Sequence, residues 1–229
     1  MASSPSSASI QIRCQGVLFD MDGILVSSLE SVERSWTRWA LARGVDPELA
    51  CKTAHGCRAV DTFAKLRPDL DPEVELKFIE DTEVEDNEGL TVLPGVLNLL
   101  AALPASRWTV VTSATERLAR ARMAAGGVPA PSRLITAEFV TRGKPHPEPF
   151  LAGAALLGFA PSECVVFEDS SSGAQAGRAA GCIVVATTFS HPIESLAAAN
   201  YLVEDLAGIT VECTSEGILL NLTQPIPVA

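Results

Sequence analysis

Positive charge is what this chain has least of: 17 Lys and Arg stand against 28 Asp and Glu, for a net charge of −11. A nucleic-acid binder needs a basic patch or stripe, so the charge argues against nucleic acid and none is expected as a partner. A phosphorylated ligand would be repelled at long range, so any groups that hold one must act at close quarters. Aromatic residues are also scarce, 5% of the chain against 47% hydrophobic overall, the balance of an Ala/Val/Leu-rich α/β protein. The six cysteines, Cys14, Cys51, Cys57, Cys164, Cys182 and Cys213, contain no Cys-x-x-Cys pair and read as buried reduced thiols. No apolar run reaches the roughly 18 residues of a membrane span, so no membrane partner is expected. Met1 to Ser9 is rich in Ser, Ala and Pro and lacks the apolar segment of a secretory signal. It reads as a disordered tail, with residues 1–15 as tail and lead-in and little room for an organellar leader.

What is present is organised around Val17-Leu18-Phe19-Asp20-Met21-Asp22-Gly23. A short apolar run ending abruptly in acids reads as a buried parallel strand that delivers groups to its carboxyl end. Asp20 and Asp22, two apart in an extended segment, point to the same side. Gly23 then allows a sharp turn. Paired carboxylates repel, so a proton, a lysine or a divalent metal must compensate.

After this strand the pattern is helical. Ser27-Ser28 can cap a helix to about Arg43, with Leu29, Val32, Trp36 and Trp39 or Ala40 on one stripe. Asp46-Pro47-Glu48 opens a second helix, interrupted at Ala54-His55-Gly56-Cys57-Arg58. A third follows near Ala59 to Leu66, and Asp71-Pro72-Glu73 opens a fourth, apolar at Val74, Phe78 and Ile79. Leu93-Pro94-Gly95 marks the return. Residues 27–92 therefore read as an inserted all-helical cap domain, and 16–26 with 93–229 as the core. From Gly95 helices alternate with strands at Trp108 to Val111, Leu134 to Thr136, Cys164 to Phe167, Ile183 to Ala186 and Tyr201 to Val203. That alternation predicts a doubly wound, Rossmann-like parallel sheet, with ligands beyond the carboxyl ends of its strands. Thr210-Val211-Glu212 and Ile218-Leu219-Leu220 can form a terminal hairpin.

Three polar pieces fall at that end. Thr112-Ser113 follows Thr109-Val110-Val111, where hydroxyls and free N–H groups suit an anion or, equally, cap a helix through Ser113 or Thr115. Lys144 lies in Arg142-Gly143-Lys144-Pro145-His146-Pro147, an ordered loop whose one cation can neutralise both a phosphate and a nucleophile. Glu168-Asp169 ends the apolar run Cys164-Val165-Val166-Phe167, a costly place for two acids without a cation.

Together, Asp20-Met21-Asp22-Gly23, Thr112-Ser113, Lys144 and Glu168-Asp169 resemble, in order, the four motifs of the haloacid dehalogenase-like hydrolases, and the resemblance runs from about Gly16 to about Val211. It implies that Asp20 is a nucleophile forming an aspartyl-phosphate, that Asp22 is the general acid and base, and that Mg²⁺ is held by Asp20, the Asp22 carbonyl, Asp169 and Glu168. Thr112, Ser113 and Lys144 would hold the phosphate oxygens. An acid at position 22 sets the chain apart from members that break carbon–halogen or carbon–phosphorus bonds. Two positions depart from the family pattern without removing a catalytic atom: Ile24, where Thr or Val is usual, and Ser27, where many members carry Asp.

The helical insert matches the family's C1 cap, and His55-Gly56-Cys57-Arg58 looks like the cap loop of sugar, polyol and glycerol phosphatases. Trp36, Trp39, Ala119-Arg120-Ala121-Arg122 and Arg142-Gly143-Lys144-Pro145 look like the same subgroup. His55 and Arg58 are candidates for contacting substrate; the alternative is a helix-capping His55 and an Arg58 paired with a nearby acid. The resemblance thus implies a cytoplasmic, Mg²⁺-dependent phosphatase of small phosphorylated metabolites such as sugar or polyol phosphates. Oligomeric state stays open, a monomer being compatible with every feature above. The main rival is a sugar phosphomutase of the β-phosphoglucomutase type, whose cap loop resembles Gly-x-x-Arg; here Arg58 is two residues after Gly56. A non-catalytic sugar-phosphate-binding regulator is a second alternative, against which the complete set of Asp20, Asp22, Lys144 and Asp169 speaks.

Overall fold

The computed structural model describes residues 9–227. The elements, in order, are β1 (Ser9–Cys14), β2 (Gly16–Phe19), β3 (Val26–Ser27), α1 (Leu29–Arg43), α2 (Pro47–Ala54), α3 (Ala59–Leu66), α4 (Pro72–Glu85), β4 (Thr91–Val92), α5 (Val96–Ala102), β5 (Trp108–Val110), α6 (Glu116–Ala125), α7 (Glu148–Leu157), β6 (Cys164–Glu168), α8 (Ser171–Ala180), β7 (Ile183–Thr187), β8 (Tyr201–Val203), β9 (Ile209–Thr214) and β10 (Gly217–Thr223).

The main sheet has five strands in the order β5-β2-β6-β7-β8, all parallel. Its strands are largely apolar because both faces are covered. Val17, Phe19, Val165, Phe167 and Val185 pack with Leu99 and Leu100 of α5 and Leu118 and Met123 of α6. Leu18, Val166, Val184 and Ala186, one residue out of phase, pack with Phe150 and Ala154 of α7 and Ala174 and Ala176 of α8. Side chains alternate across the pleat, so the two faces sort themselves by residue parity. β2 lies between β5 and β6, and this puts the residue after Phe19 at the middle of the sheet's carboxyl edge.

Helices α1 to α4 lie between β3 and β4, a two-stranded antiparallel ribbon pairing Val26 with Val92 and Ser27 with Thr91. The chain thus enters and leaves the helical insert side by side. Trp36, Trp39, Phe63 and Ile79 form a separate apolar cluster in the insert.

Several expectations need correcting. The tail at 1–8 lies outside the described residues, but Ser9–Cys14 is a strand, paired antiparallel with β10 in a three-stranded sheet β1-β10-β9. Ile10, Ile12 and Cys14 alternate with Ser9, Gln11 and Arg13, a period-two strand signal that the reading as tail and lead-in passes over. The terminal hairpin is present as β9 and β10. Leu134 to Thr136 is no strand: Ile135 makes a single bridge to Val111, with N–H and C=O both used, and a 3-10 turn at Ala137–Phe139 takes the chain away. In α4, Val74 is 57% exposed, and the buried stripe is Glu75, Ile79 and Glu83. Glu75 can be there because Trp39 Nε1 (2.7 Å) and Arg43 Nε (2.9 Å) donate to it. All six cysteines are free, yet only Cys14, Cys164 and Cys182 are buried, and Cys213 is exposed.

The return from the insert depends on Gly95. Its φ is +81°, and a Cβ there would lie 2.3 Å from Ala207 N and Leu206 C. Gly95→Ala is therefore expected to destabilise the fold by at least about 2 kcal/mol, from left-handed strain plus backbone overlap. Thermal unfolding checks this; an unchanged midpoint would contradict it.

Candidate active site

Asp20 leaves β2 with its N–H on Phe167 O at 2.9 Å, and its carboxylate is buried. Lys144, from the loop before α7, reaches in from the side. Its Nζ lies 2.9 Å from Asp20 Oδ1 and 2.6 Å from Glu168 Oε1, and the Phe150 ring lies beneath it at 5.1 Å. Burial alone would lower the Lys144 pKa, but the carboxylates of Asp20 and Glu168 more than offset it, so the ammonium is held firmly charged.

Glu168 ends β6. Beyond Lys144, it accepts from the backbone N–H of Asp169 and Ser170, both at 2.8 Å, and from Ser170 Oγ at 2.9 Å. Burial raises its pKa, but Lys144 and these donors turn the net shift downward, so it is an anion. Asp20 is pushed well up, by burial first, against Lys144 and with repulsion from Glu168 and Asp169. Asp169 is raised too, by burial, with His55 and Ser190 pulling the other way. Ligand atoms of Asp20, Glu168 and Asp169 all lie within 4.8 Å of one another. Three buried acids facing one ammonium suit an oxygen-ligated divalent cation. The surroundings are cut to leave the carboxylates in place: a Cβ on Gly23 would lie 1.8 Å from Asp169 Oδ2, and one on Gly173 1.6 Å from Glu168 Oε1.

Asp22 stands apart from that cluster. After Asp20 the chain curls, with Gly23 N–H on Val26 O at 2.8 Å, and carries the Asp22 carboxylate toward the insert. Ser28 Oγ donates to its Oδ1 at 2.5 Å and Arg122 Nη1 to its Oδ2 at 2.9 Å. Ser28 sits at the start of α1, but its side chain makes no capping bond; it serves Asp22 instead.

Thr112 is buried, and its Oγ1 accepts from Ala114 N at 3.1 Å. Thr115, not Ser113, caps α6 by accepting from Leu118 N. Ser113 Oγ, with Ser172 Oγ, instead donates to Gly56 O of the insert loop, at 3.2 and 3.3 Å. That loop seats on the acids: a ring nitrogen of His55 lies within 4.8 Å of an Asp169 carboxylate oxygen, and Asp169 raises the His55 pKa against the effect of burial. Arg58 lines the same cavity, but Nε and Nη2 hold Asp61, and Nη1 and Nη2 donate to Val140 O and Thr141 O. Its guanidinium is used as a brace between insert and core, the structural alternative raised from the sequence.

A cavity of about 220 Å³ joins these groups, walled by Asp20, Asp22, Thr112 and Asp169 on the core side and by Trp36, His55, Arg58 and Glu83 on the insert side. Sequence reasoning missed four contributors. Ser190, which donates to Asp169 Oδ2, follows β7, and the rule that polar residues after parallel strands face the site would have found it. His191 packs on His55 with ring centroids 4.4 Å apart. Arg122 and Glu83 lie in the last turns of α6 and α4; Arg122 enters the sequence reading only within the stretch Ala119 to Arg122, with no role given, and Glu83 not at all.

The family model of the haloacid dehalogenase-like hydrolases matches residues 14–181. Hexitol phosphatase A of Escherichia coli is 42% identical over 205 residues, 87% of this chain and 95% of that protein. Glycerol-1-phosphate phosphohydrolase 2 of Saccharomyces cerevisiae is 36% identical over 194 residues, covering 79% and 78%. Among solved structures, a hydrolase from Pseudomonas syringae superposes with a TM-score of 0.75 at 24% identity, over 84% of this chain and 94% of that one. The chain belongs to the haloacid dehalogenase-like hydrolases. Within them it is an enzyme of the phosphatase kind, a phosphoric monoester hydrolase. Among the described residues no helix is long and apolar enough to cross a membrane.

Buried acid sets a pH dependence. Burial lifts Glu83 from 4.5 to about 7, with Arg122 opposing, and Asp20 and Asp169 shift the same way. The folded state then holds these protons more tightly than the unfolded chain. Their contribution is full below the unfolded value and lost as pH rises through the folded one. In EDTA the thermal midpoint should be lower at about pH 8 than at about pH 5, with part of the slope removed in Glu83→Gln. A midpoint that climbs over that range would contradict the assignment.

Proposed function

We propose that this chain is a Mg²⁺-dependent phosphatase of small phosphomonoesters, with sugar or polyol phosphates as substrates and an aspartyl-phosphate as intermediate. The observation that carries the reading is Lys144 between Asp20 and Glu168, at 2.9 and 2.6 Å, at the end of the central strand. A charged lysine there opposes the upward shift that burial gives Asp20, favouring the ionised form needed for attack, and meets the incoming phosphate oxygens. The relatives act on a hexitol phosphate and on glycerol 1-phosphate by name, which supports the substrate class.

In this reading Asp20 attacks phosphorus in line, Asp22 protonates the departing alkoxide, and Asp22 then takes the proton of the water that opens the acyl phosphate. Thr112, Ser113 and Lys144 hold the phosphate oxygens. The acids fit a divalent cation: Asp20, Asp169 and the Asp22 carbonyl would hold Mg²⁺, and Glu168, whose oxygens are occupied by Lys144 and three donors, would act through water. The ion, when bound, supplies positive charge that screens an anionic nucleophile from an anionic phosphate. Residues 27–92 act as the cap that excludes water, with His55 over the reacting groups, and 16–26 with 93–229 act as the core. Six unpaired thiols fit the reducing cytoplasm.

The test is phosphate release from a panel of hexitol, sugar, glycerol and nucleotide monophosphates. Release from a few small polyol or sugar phosphates is expected, abolished by EDTA and lowered about a thousand-fold or more in Asp20→Asn. No release from folded protein with Mg²⁺, together with interconversion of sugar 1- and 6-phosphates, would replace the phosphatase with a mutase.

A further inference from the structure

The wall of the cavity formed by α4 and α6, next to Asp22, carries groups the proposed chemistry leaves unused. Arg122 is 3% exposed and faces the cavity. Its Nη1 is spent on Asp22. Its Nη2 lies 3.4 Å from Glu83 Oε1 as an ion contact, and neither Nε nor Nη2 has a hydrogen-bond partner among the described residues. Buried guanidinium N–H groups left unpaired are costly, so the position is built for an acceptor.

Charge decides which acceptor. Asp22 and Glu83 flank Arg122, so its positive charge is already met. Glu80 on the same wall accepts from Arg117 (2.6 Å) and Thr115. Arg58, the other arginine on the cavity, is held by Asp61 and two carbonyls. A second phosphate at this wall would meet carboxylates and find no unmatched cation. A hydroxyl accepts from the guanidinium and donates to the carboxylate at once, and brings no charge.

We propose that Glu83 and Arg122 form a hydroxyl-binding subsite that selects a neutral polyhydroxylated leaving group and rejects one carrying a second phosphate. This rests on the phosphatase reading and narrows it, because a mutase has to hold a bisphosphate in the same cavity.

The experiment compares kcat/KM for a six-carbon polyol monophosphate (sorbitol 6-phosphate), for fructose 1,6-bisphosphate and for p-nitrophenyl phosphate, whose leaving group bears no further hydroxyl. The wild type should favour the polyol monophosphate over the bisphosphate by a hundred-fold or more. Glu83→Leu should lose ten-fold or more on the polyol phosphate, mostly in KM, relative to its loss on p-nitrophenyl phosphate. Glu83→Gln, which keeps both a donor and an acceptor, should recover most of that difference. Equal losses on the two monoesters, or a bisphosphate turned over as well as the monophosphate, would overturn the subsite. If wild type turns over none of the three, the phosphatase reading fails separately. Calorimetric binding of sorbitol 6-phosphate to Asp20→Asn then reads the subsite directly: ten-fold weaker binding with Glu83→Leu added supports it, and unchanged binding overturns it.

Discussion

The site depends on one buried ammonium. Lys144 touches Asp20 and Glu168 together, and without it the end of the central strand would bring three carboxylates together with no counter-charge supplied by a lysine or arginine in contact. Desolvating such acids is costly enough that they would take up protons instead of serving as anions. Lys144 divides them unequally: Glu168, ringed by donors, stays ionised, while Asp20 keeps a raised pKa and a single ion contact. That inequality fits one carboxylate for holding and one for reacting. The rest of the core can be read as support for this arrangement: parallel strands that end together, glycines at 23 and 173 that leave room for the carboxylates, and a loop that brings the lysine in over Phe150.

A second constraint links the core to the helical insert. Asp22 is shared between Ser28 at the root of α1 and Arg122 on α6, and Arg122 in turn touches Glu83 on α4. The insert loop sets His55 beside Asp169 and adds contacts from Gly56 to Ser113 and Ser172. The groups proposed for chemistry and the groups proposed for selecting the leaving group therefore meet in a single cavity. A small movement of α4 relative to α6 would be felt at Asp22 through one guanidinium.

How much of this was legible in the sequence follows from how local each signal is. The acids and the lysine sit at strand ends or in the loops that follow, so an apolar run followed by a charge points at each of them without knowledge of the fold. The parallel sheet and the helical insert are legible for the same reason, as changes of period and as Pro and Gly punctuation. Contacts made across the chain are not. Arg122 looks like any arginine on an exposed helix face, and Glu83 like any glutamate in an acidic helix. Only packing of α4 on α6 buries them together. Ser28 reads as a helix cap until its hydroxyl is seen on Asp22. β1 carries its own alternation at Ile10, Ile12 and Cys14, but its partner β10, some 200 residues later, could not be read from it.

The central claim is that Asp20 is the group phosphorylated in turnover. Its most direct test is acid quenching during turnover of a substrate, followed by peptide mapping by mass spectrometry. The account predicts a phosphoryl group on the peptide containing Asp20, acid-stable and lost on treatment with hydroxylamine. A phosphoryl group on another residue, or turnover with no phosphorylated peptide at any quench time and with inversion at an isotopically chiral phosphorus, would contradict it, because one direct displacement by water inverts where two in-line displacements retain.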